Sequence, residues 1–164
     1  MYIIIYACIL LFMPFIALGE NIGDLKAKAQ AGDGEAQHNL AFAYHFGKGV
    51  EKNNTKAFEL WLQAAENGYV YAQENLAYLY KEGFVVQKNL EKANFWSSKA
   101  FNQNLIKAKN GELEFQYNLA KNYLYGQGVK KDSKEALYWF QSAAEKGNIE
   151  AQAMLGSLYS NNSF

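Results

Sequence analysis

After residue 19 the chain contains no cysteine, and its one cysteine, Cys8, lies in the apolar segment before that point. A domain without thiols has no disulfides and no thiolate metal site, so packing alone must hold it together. Charge of one sign is missing as well. All 16 acidic and all 16 basic residues follow Gly19, so residues 20–164 are formally neutral. A nucleic-acid partner needs a clear excess of cations, and a strongly charged membrane-surface domain needs an imbalance; both are excluded. The motifs S-x-x-K, G-x-S-x-G and H-E-x-x-H do not occur, which leaves no recognisable nucleophile or metal-bound water. No catalytic residue, metal site or cofactor is expected.

The first nineteen residues stand apart. Tyr2 to Leu18 is apolar and uncharged, and it ends in Ala17-Leu18-Gly19 before Glu20. Small residues at Ala17 and Gly19 suit signal peptidase, which predicts an export signal over 1–19, cleavage before Glu20, and a periplasmic or secreted domain over 20–164. The run is short for a membrane span of about 20 residues. It also lacks the usual basic start, so an uncleaved anchor is the alternative.

What is abundant is repetition. AQHNLA at Ala36 returns as AQENLA at Ala72, FQYNLA at Phe115 and AQAMLG at Ala151, in steps of 36, 43 and 36 residues. The turn GKGV at Gly47 returns as GFVV at Gly83 and GQGV at Gly126, and TKAFELW returns as EKANFWS and KEALYWF. Self-similarity at such a period marks a solenoid. The repeats are placed at about 36–71, 72–114 and 115–150, with terminal half-repeats over 20–35 and 151–164 that cap the stack. The fold class is therefore all-α, an α/α solenoid of about three helix pairs, and a soluble monomer is expected.

Helical spacing puts Ala36, Leu40, Ala43, Tyr44 and Gly47 on one buried face of the first helix, with Ala72, Leu76, Leu79, Tyr80 and Gly83 matching them. In the second helix Ala57, Leu60, Trp61, Ala64 and Ala65 form the core face. Gly47, Gly83 and Gly126 follow the last periodic residue, where a left-handed conformation ends a helix. GxGV follows a helix and lacks a third glycine, so it is not a phosphate loop. Val85 replaces the second glycine of the turn, which predicts a slightly different backbone path there. Asn53, Asn89 and Asp132 sit where a helix N-cap belongs. The seven extra residues of the middle step are read as Leu105–Gly111, lengthening both flanking helices with Asn110-Gly111 as the turn.

The pattern AQ-x-NL(A/G)-x-x-Y-x-x-G-x-GV, followed by KA-x-x-W-x-x-(A)A-x-x-G, resembles the SEL-one-like repeat (SLR) family, a relative of tetratricopeptide repeats. The resemblance spans Leu25 to Tyr159 and is cleanest in the first and third copies. It implies a right-handed superhelix whose first helices line a concave side, and an adaptor that binds a protein or peptide partner. Exported members look like host-interaction, envelope-process or immunity proteins. Cysteine-rich secreted members have been described as acting on β-lactams or envelope polymers, but they carry paired cysteines, and Glu74 is the one carboxylate placed on the concave face here. A purely structural scaffold is the other alternative.

On the first helix of each repeat, the residues opposite the core stripe are the candidate partner surface: His38, Phe42 and His45; Glu74, Tyr78 and Lys81; Tyr117, Lys121 and Leu124. Phe42, Tyr78 and Tyr117 are aromatics where a solvated face would carry Lys or Glu, which suggests interface anchors. His38 and His45 lie seven apart and are read as surface histidines; a metal would need a third ligand.

Overall fold

The structure, a computed structural model, describes residues 21–160. The expected export signal over 1–19, Cys8 and the last four residues lie outside the described part. Among the described residues the chain is entirely helical: α1 (Ile22–Gln30), α2 (Gly34–Phe46), α3 (Asn54–Glu66), α4 (Val70–Glu82), α5 (Leu90–Lys109), α6 (Leu113–Tyr125), α7 (Ser133–Glu145) and α8 (Ile149–Ser160). It divides into two compact units at Asn89–Leu90. In the amino-terminal unit α1 to α4 pack each on the next, and in the carboxy-terminal unit α5 to α8 do the same.

The glutamine of the AQ motif explains why the motif recurs. Gln37 Nε2 donates to the Ala29 carbonyl at 3.1 Å, Gln73 to Ala65 at 3.1 Å, Gln116 to Ala108 at 3.2 Å and Gln152 to Ala144 at 3.0 Å. Each acceptor lies in the last turn of the preceding helix, whose carbonyls have no partner within that helix. An alanine precedes Gln37, Gln73 and Gln152, whereas Gln116 makes the same bond after Phe115. The same carbonyls accept the N–H of Gly32, Gly68, Gly111 and Gly147 at 3.0–3.1 Å, and these glycines all have φ near +90°. The helix end A-x-x-G is thus one device used four times.

The other turn also repeats in detail. Gly47, Gly83 and Gly126 are left-handed C-caps. The backbone N–H of Asn53, Asn89 and Asp132 then donates back to the carbonyl of Tyr44, Tyr80 and Tyr123 at 2.8, 2.8 and 3.0 Å. Asn53 caps α3 by accepting from the Lys56 N–H, and Asp132 caps α7 by accepting from Lys134 and Glu135. The altered path expected at Val85 is not found. Val85 has φ +69°, against +71° at Gly49 and +73° at Gly128, so the middle turn keeps the glycine geometry with a β-branched residue in it.

The lengthening expected in both flanking helices is also corrected. α5 has 20 residues, whereas α3, α6 and α7 have 13 each, so all seven extra residues fall in α5. The Gln116 bond equates Ala108 with Ala65, and Ala108-Lys109-Asn110-Gly111 then matches Ala65-Glu66-Asn67-Gly68. In the register of the Gln116 bond the added residues are Phe101–Lys107, inside the helix, where the sequence reading has Leu105–Gly111 at its end. They are anchored in the carboxy-terminal unit. Phe101 packs edge-on against Tyr123 at 5.5 Å. Fully buried Asn104 donates to buried Asn122 at 2.8 Å. Gly128 lies so close that a Cβ there would run into the Ser97 carbonyl and stand 2.9 Å from the Phe101 Cβ.

The amino-terminal unit has a core of Leu25, Ala29, Ala36, Leu40 and Ala43. The carboxy-terminal unit has one of Ala120, Ala136, Phe140, Ala143 and Ala151. Both mix small and large side chains, as close helix packing requires.

Candidate functional site

The helix α2 has no solvent face between Ala36 and Ala43. Every residue from Ala36 to Ala43 is buried, because α1 and α3 flank it and the start of α4 closes over it. This corrects the expected exposure of His38 and Phe42. His38 is 2% exposed and sits in an aromatic box, 4.9 Å from Phe42, 5.1 Å from Tyr69 and 6.5 Å from Tyr71 between ring centres. Its Nδ1 is buried with no hydrogen-bond partner among the described residues. Burial lowers its pKa from 6.5 to about 3, so the ring is neutral at physiological pH. Phe42 is 4% exposed and packs edge-on against Trp61 at 5.2 Å. Neither is a surface residue.

His45, at the end of the same helix, is half-buried. Its Nδ1 lies 3.0 Å from Asn54 Oδ1, and its ring meets Phe46, Trp61 and Phe84 at 4.6, 5.7 and 5.9 Å. Burial lowers its pKa; the Asn54 bond raises it and the charge of Lys52 lowers it further. His45 and Tyr78 come together, with Phe42, Trp61, Asn75, Leu79 and Phe84, as the walls of one narrow cleft of about 30 Å³ in the amino-terminal unit. The cleft is almost wholly apolar, yet two of its wall residues carry buried N–H groups with no acceptor among the described residues, Trp61 Nε1 and Asn75 Nδ2. Glu74 is half-buried on α4, and Lys81 is exposed at its end.

The remaining candidates belong to the carboxy-terminal unit. Tyr117 and Leu124 are partly buried against its core cluster, and the Tyr117 ring lies 5.7 Å from Phe140. Burial, ahead of the charges of Tyr125 and Glu150, raises the Tyr117 hydroxyl pKa. The Lys121 ammonium sits 5.1 Å from the centre of the Tyr117 ring, a cation–π contact. Tyr117 and Leu124 thus belong to the packing of their own unit.

Trp61, Asn75 and Phe84 were not among the residues expected at a site. Trp61 reads from the sequence as core, and Asn75 as one of the repeated Asn39, Asn75, Asn118 series. Phe84 had a signal: it stands in the turn where the other copies have Lys48 and Gln127. It is 46% exposed, and Val85 beside it is exposed too. No group of three or more metal-ligating side chains is found among the described residues, and no described helix is long and apolar enough to cross a membrane.

The Sel1 repeat model matches residues 34–69, 70–105, 113–148 and 149–161, most of the chain. The chain belongs to the Sel1 repeat family. A Sel1 repeat protein from Oxalobacter formigenes is similar at 34% identity, over 83% of this chain and 97% of that one, with a TM-score of 0.57. The Escherichia coli protective antigen c5321, with an SLR fold, matches at 26% identity over 88% of this chain and 37% of its own, with a TM-score of 0.47. The Helicobacter pylori cysteine-rich protein B matches at 23% identity over 83% and 98%, with a TM-score of 0.45. No curated protein matches. The all-α solenoid class follows from the Sel1 repeats, which generally form protein-interaction modules.

Proposed function

We propose that this Sel1 repeat protein is a non-enzymatic interaction module that acts outside the cytoplasm, in the periplasm or beyond it, and holds a protein or peptide partner. The observation that supports this reading is the rim of the cleft in the amino-terminal unit. Phe84 and Val85 expose apolar surface on a turn that elsewhere carries Lys48-Gly49 or Gln127-Gly128. Val85 moreover holds a left-handed backbone that disfavours it. An apolar pair kept on the surface against both solubility and backbone preference points to a contact.

The test exchanges that turn for the one in the first repeat. Full-length protein carrying Phe84→Lys with Val85→Gly is expected to melt within a few degrees of wild type and to lose the envelope or host protein that wild type captures. Unchanged capture would remove this rim from the binding surface. The export reading is checked by sequencing the amino terminus of the protein recovered from the periplasm or medium. It is expected to begin at Glu20, and a chain retained in the cytoplasm with Met1 intact would overturn it.

A further inference from the structure

At the start of the amino-terminal unit, α1 and α2 enclose a second cavity, of about 150 Å³. Leu25, Ala36 and Asn39 are its buried walls, and Lys28, Asp33 and Glu35 its exposed ones. The glutamine bonds set the matching positions in the other copies. Trp61 and Phe140 stand in the place of Leu25 at the α3–α4 and α7–α8 junctions, and Phe115 stands in the place of Ala36 at the α5–α6 junction. That last junction repeats the charges as Lys107, Glu112 and Glu114. There, however, the Lys107 ammonium lies 4.2 Å from the centre of the Phe115 ring and 4.0 Å from Glu112. The α1–α2 junction has the charges without the ring, and the space stays open.

Its walls are mostly polar and carry both signs of charge. Asp33 is held in place because its Oδ1 accepts the Ala36 N–H at 2.8 Å. Asn39 is 7% exposed, and its Oδ1 is buried with no partner among the described residues. A buried acceptor of that kind calls for an explanation. A hydrocarbon would answer none of these groups. An anion meets the carboxylates of Asp33 and Glu35, and a metal cation meets the ammonium of Lys28, each a repulsive contact. A molecule that carries both an ammonium and a carboxylate satisfies all of them. An ammonium is three donors and no acceptor, and Asp33, Glu35 and Asn39 offer one acceptor group each. We propose that this cavity binds a small free α-amino acid as its zwitterion. The ammonium donates to Asp33, Glu35 and Asn39 Oδ1, the carboxylate accepts from Lys28, and the side chain rests on Leu25 and Ala36. The size fits: a cavity of about 150 Å³ takes up benzene, and alanine has as many heavy atoms.

The probe is L-alanine, titrated into nitrogen-15-labelled full-length protein. The signals followed are the backbone N–H of Ala36, which Asp33 caps, and the side-chain N–H pair of Asn39. They are expected to shift and saturate together. Propionate and ethylamine, each carrying one of the two charges, are expected to bind about tenfold more weakly. Calcium chloride is expected to leave the same signals unmoved. Ala36→Phe brings in the ring of the α5–α6 junction and should abolish the alanine shifts, with circular dichroism to show that the helices remain. Glu35→Gln, on the exposed wall, tests the charge without touching the core and should weaken alanine about tenfold. Signals that never move would mean a pool of water only, and would overturn the assignment. So would propionate, ethylamine or calcium binding as tightly as alanine, or unchanged affinity in Glu35→Gln or in a folded Ala36→Phe protein.

Discussion

Acid should destabilise the amino-terminal unit through its fully buried histidine, His38. In the unfolded chain its imidazole titrates near 6.5; in the fold, burial holds it down to about 3. The sign follows from proton counting. Above 6.5 neither state binds the proton, and stability does not depend on this group. Between 6.5 and about 3 only the unfolded chain binds it, so stability falls as pH falls, by about 1.4 kcal/mol per pH unit. Below about 3 both states are protonated and the loss levels off, at roughly 5 kcal/mol if this window is traversed in full. Carboxylates titrate over part of the same range, so the comparison is with His38→Phe, which fills the space between Phe42, Tyr69 and Tyr71 without a proton to gain. The assay is urea unfolding followed by circular dichroism at half-unit steps from pH 7.5 to 4. At pH 7.5 the variant should match or exceed wild type, since it removes a buried nitrogen that has no partner. By pH 5 wild type should have lost about 2 kcal/mol relative to the variant. A difference between the two proteins that stays constant with pH would refute the burial argument, and with it the placement of His38 in the aromatic box.

Three further outcomes are expected. Asn104→Leu and Asn122→Leu should each cost about 1–3 kcal/mol by stranding the other amide. The double variant should recover most of that loss in a thermal melt, whereas simple additivity would show that the 2.8 Å bond between them carries no coupling. Excising Phe101–Lys107 should leave a folded, cooperative protein, because it joins Ala100 to Ala108 in the manner of Ala64-Ala65 and keeps the helix end that Gln116 caps. Excising Leu105–Gly111 instead removes that end, and should lower the melting temperature further than the first deletion. Gln73→Leu should cost about 1–2 kcal/mol by leaving the Ala65 carbonyl without its side-chain donor; a melting temperature equal to wild type would mean that the AQ motif is kept for another reason.

The repeat was legible because it is made of local devices. A glycine after the last turn, an Asn or Asp before the next helix and alanines at helical spacing each leave a mark within a few residues, and Gly47, Asn53, Asp132 and Ala57 are all where those marks put them. The site was less legible, because a helical wheel assumes one wet face and one dry face. α2 has neighbours on several sides, so the 180° opposite Ala36 is still interior, and His38 and Phe42 are lost from the surface. His45 and Tyr78 remain at a cleft only because they lie near helix ends, where the packing thins out.

The insertion shows a different limit. Counting forward from Ala93 makes Asn104 a failed helix stop and places the extra residues after it. Counting back from Gln116 through its bond to Ala108 makes Asn104 the middle of a longer helix. Sequence alone offers both counts, and the choice depends on a hydrogen bond between residues eight apart that composition does not reveal. Asn122 shows what the longer helix brings with it. It occupies the place of Ala43 and Leu79 in the other copies, and a buried amide is tolerated there because the insertion brings Asn104 to meet it. Phe84 follows the same logic on the surface. It departs from its counterparts Lys48 and Gln127 as Asn122 departs from Ala43, but its ring meets His45 and still stays 46% exposed. A repeat protein states its fold in the positions that recur, so a specific contact must be sought where a copy departs from the pattern without an internal reason.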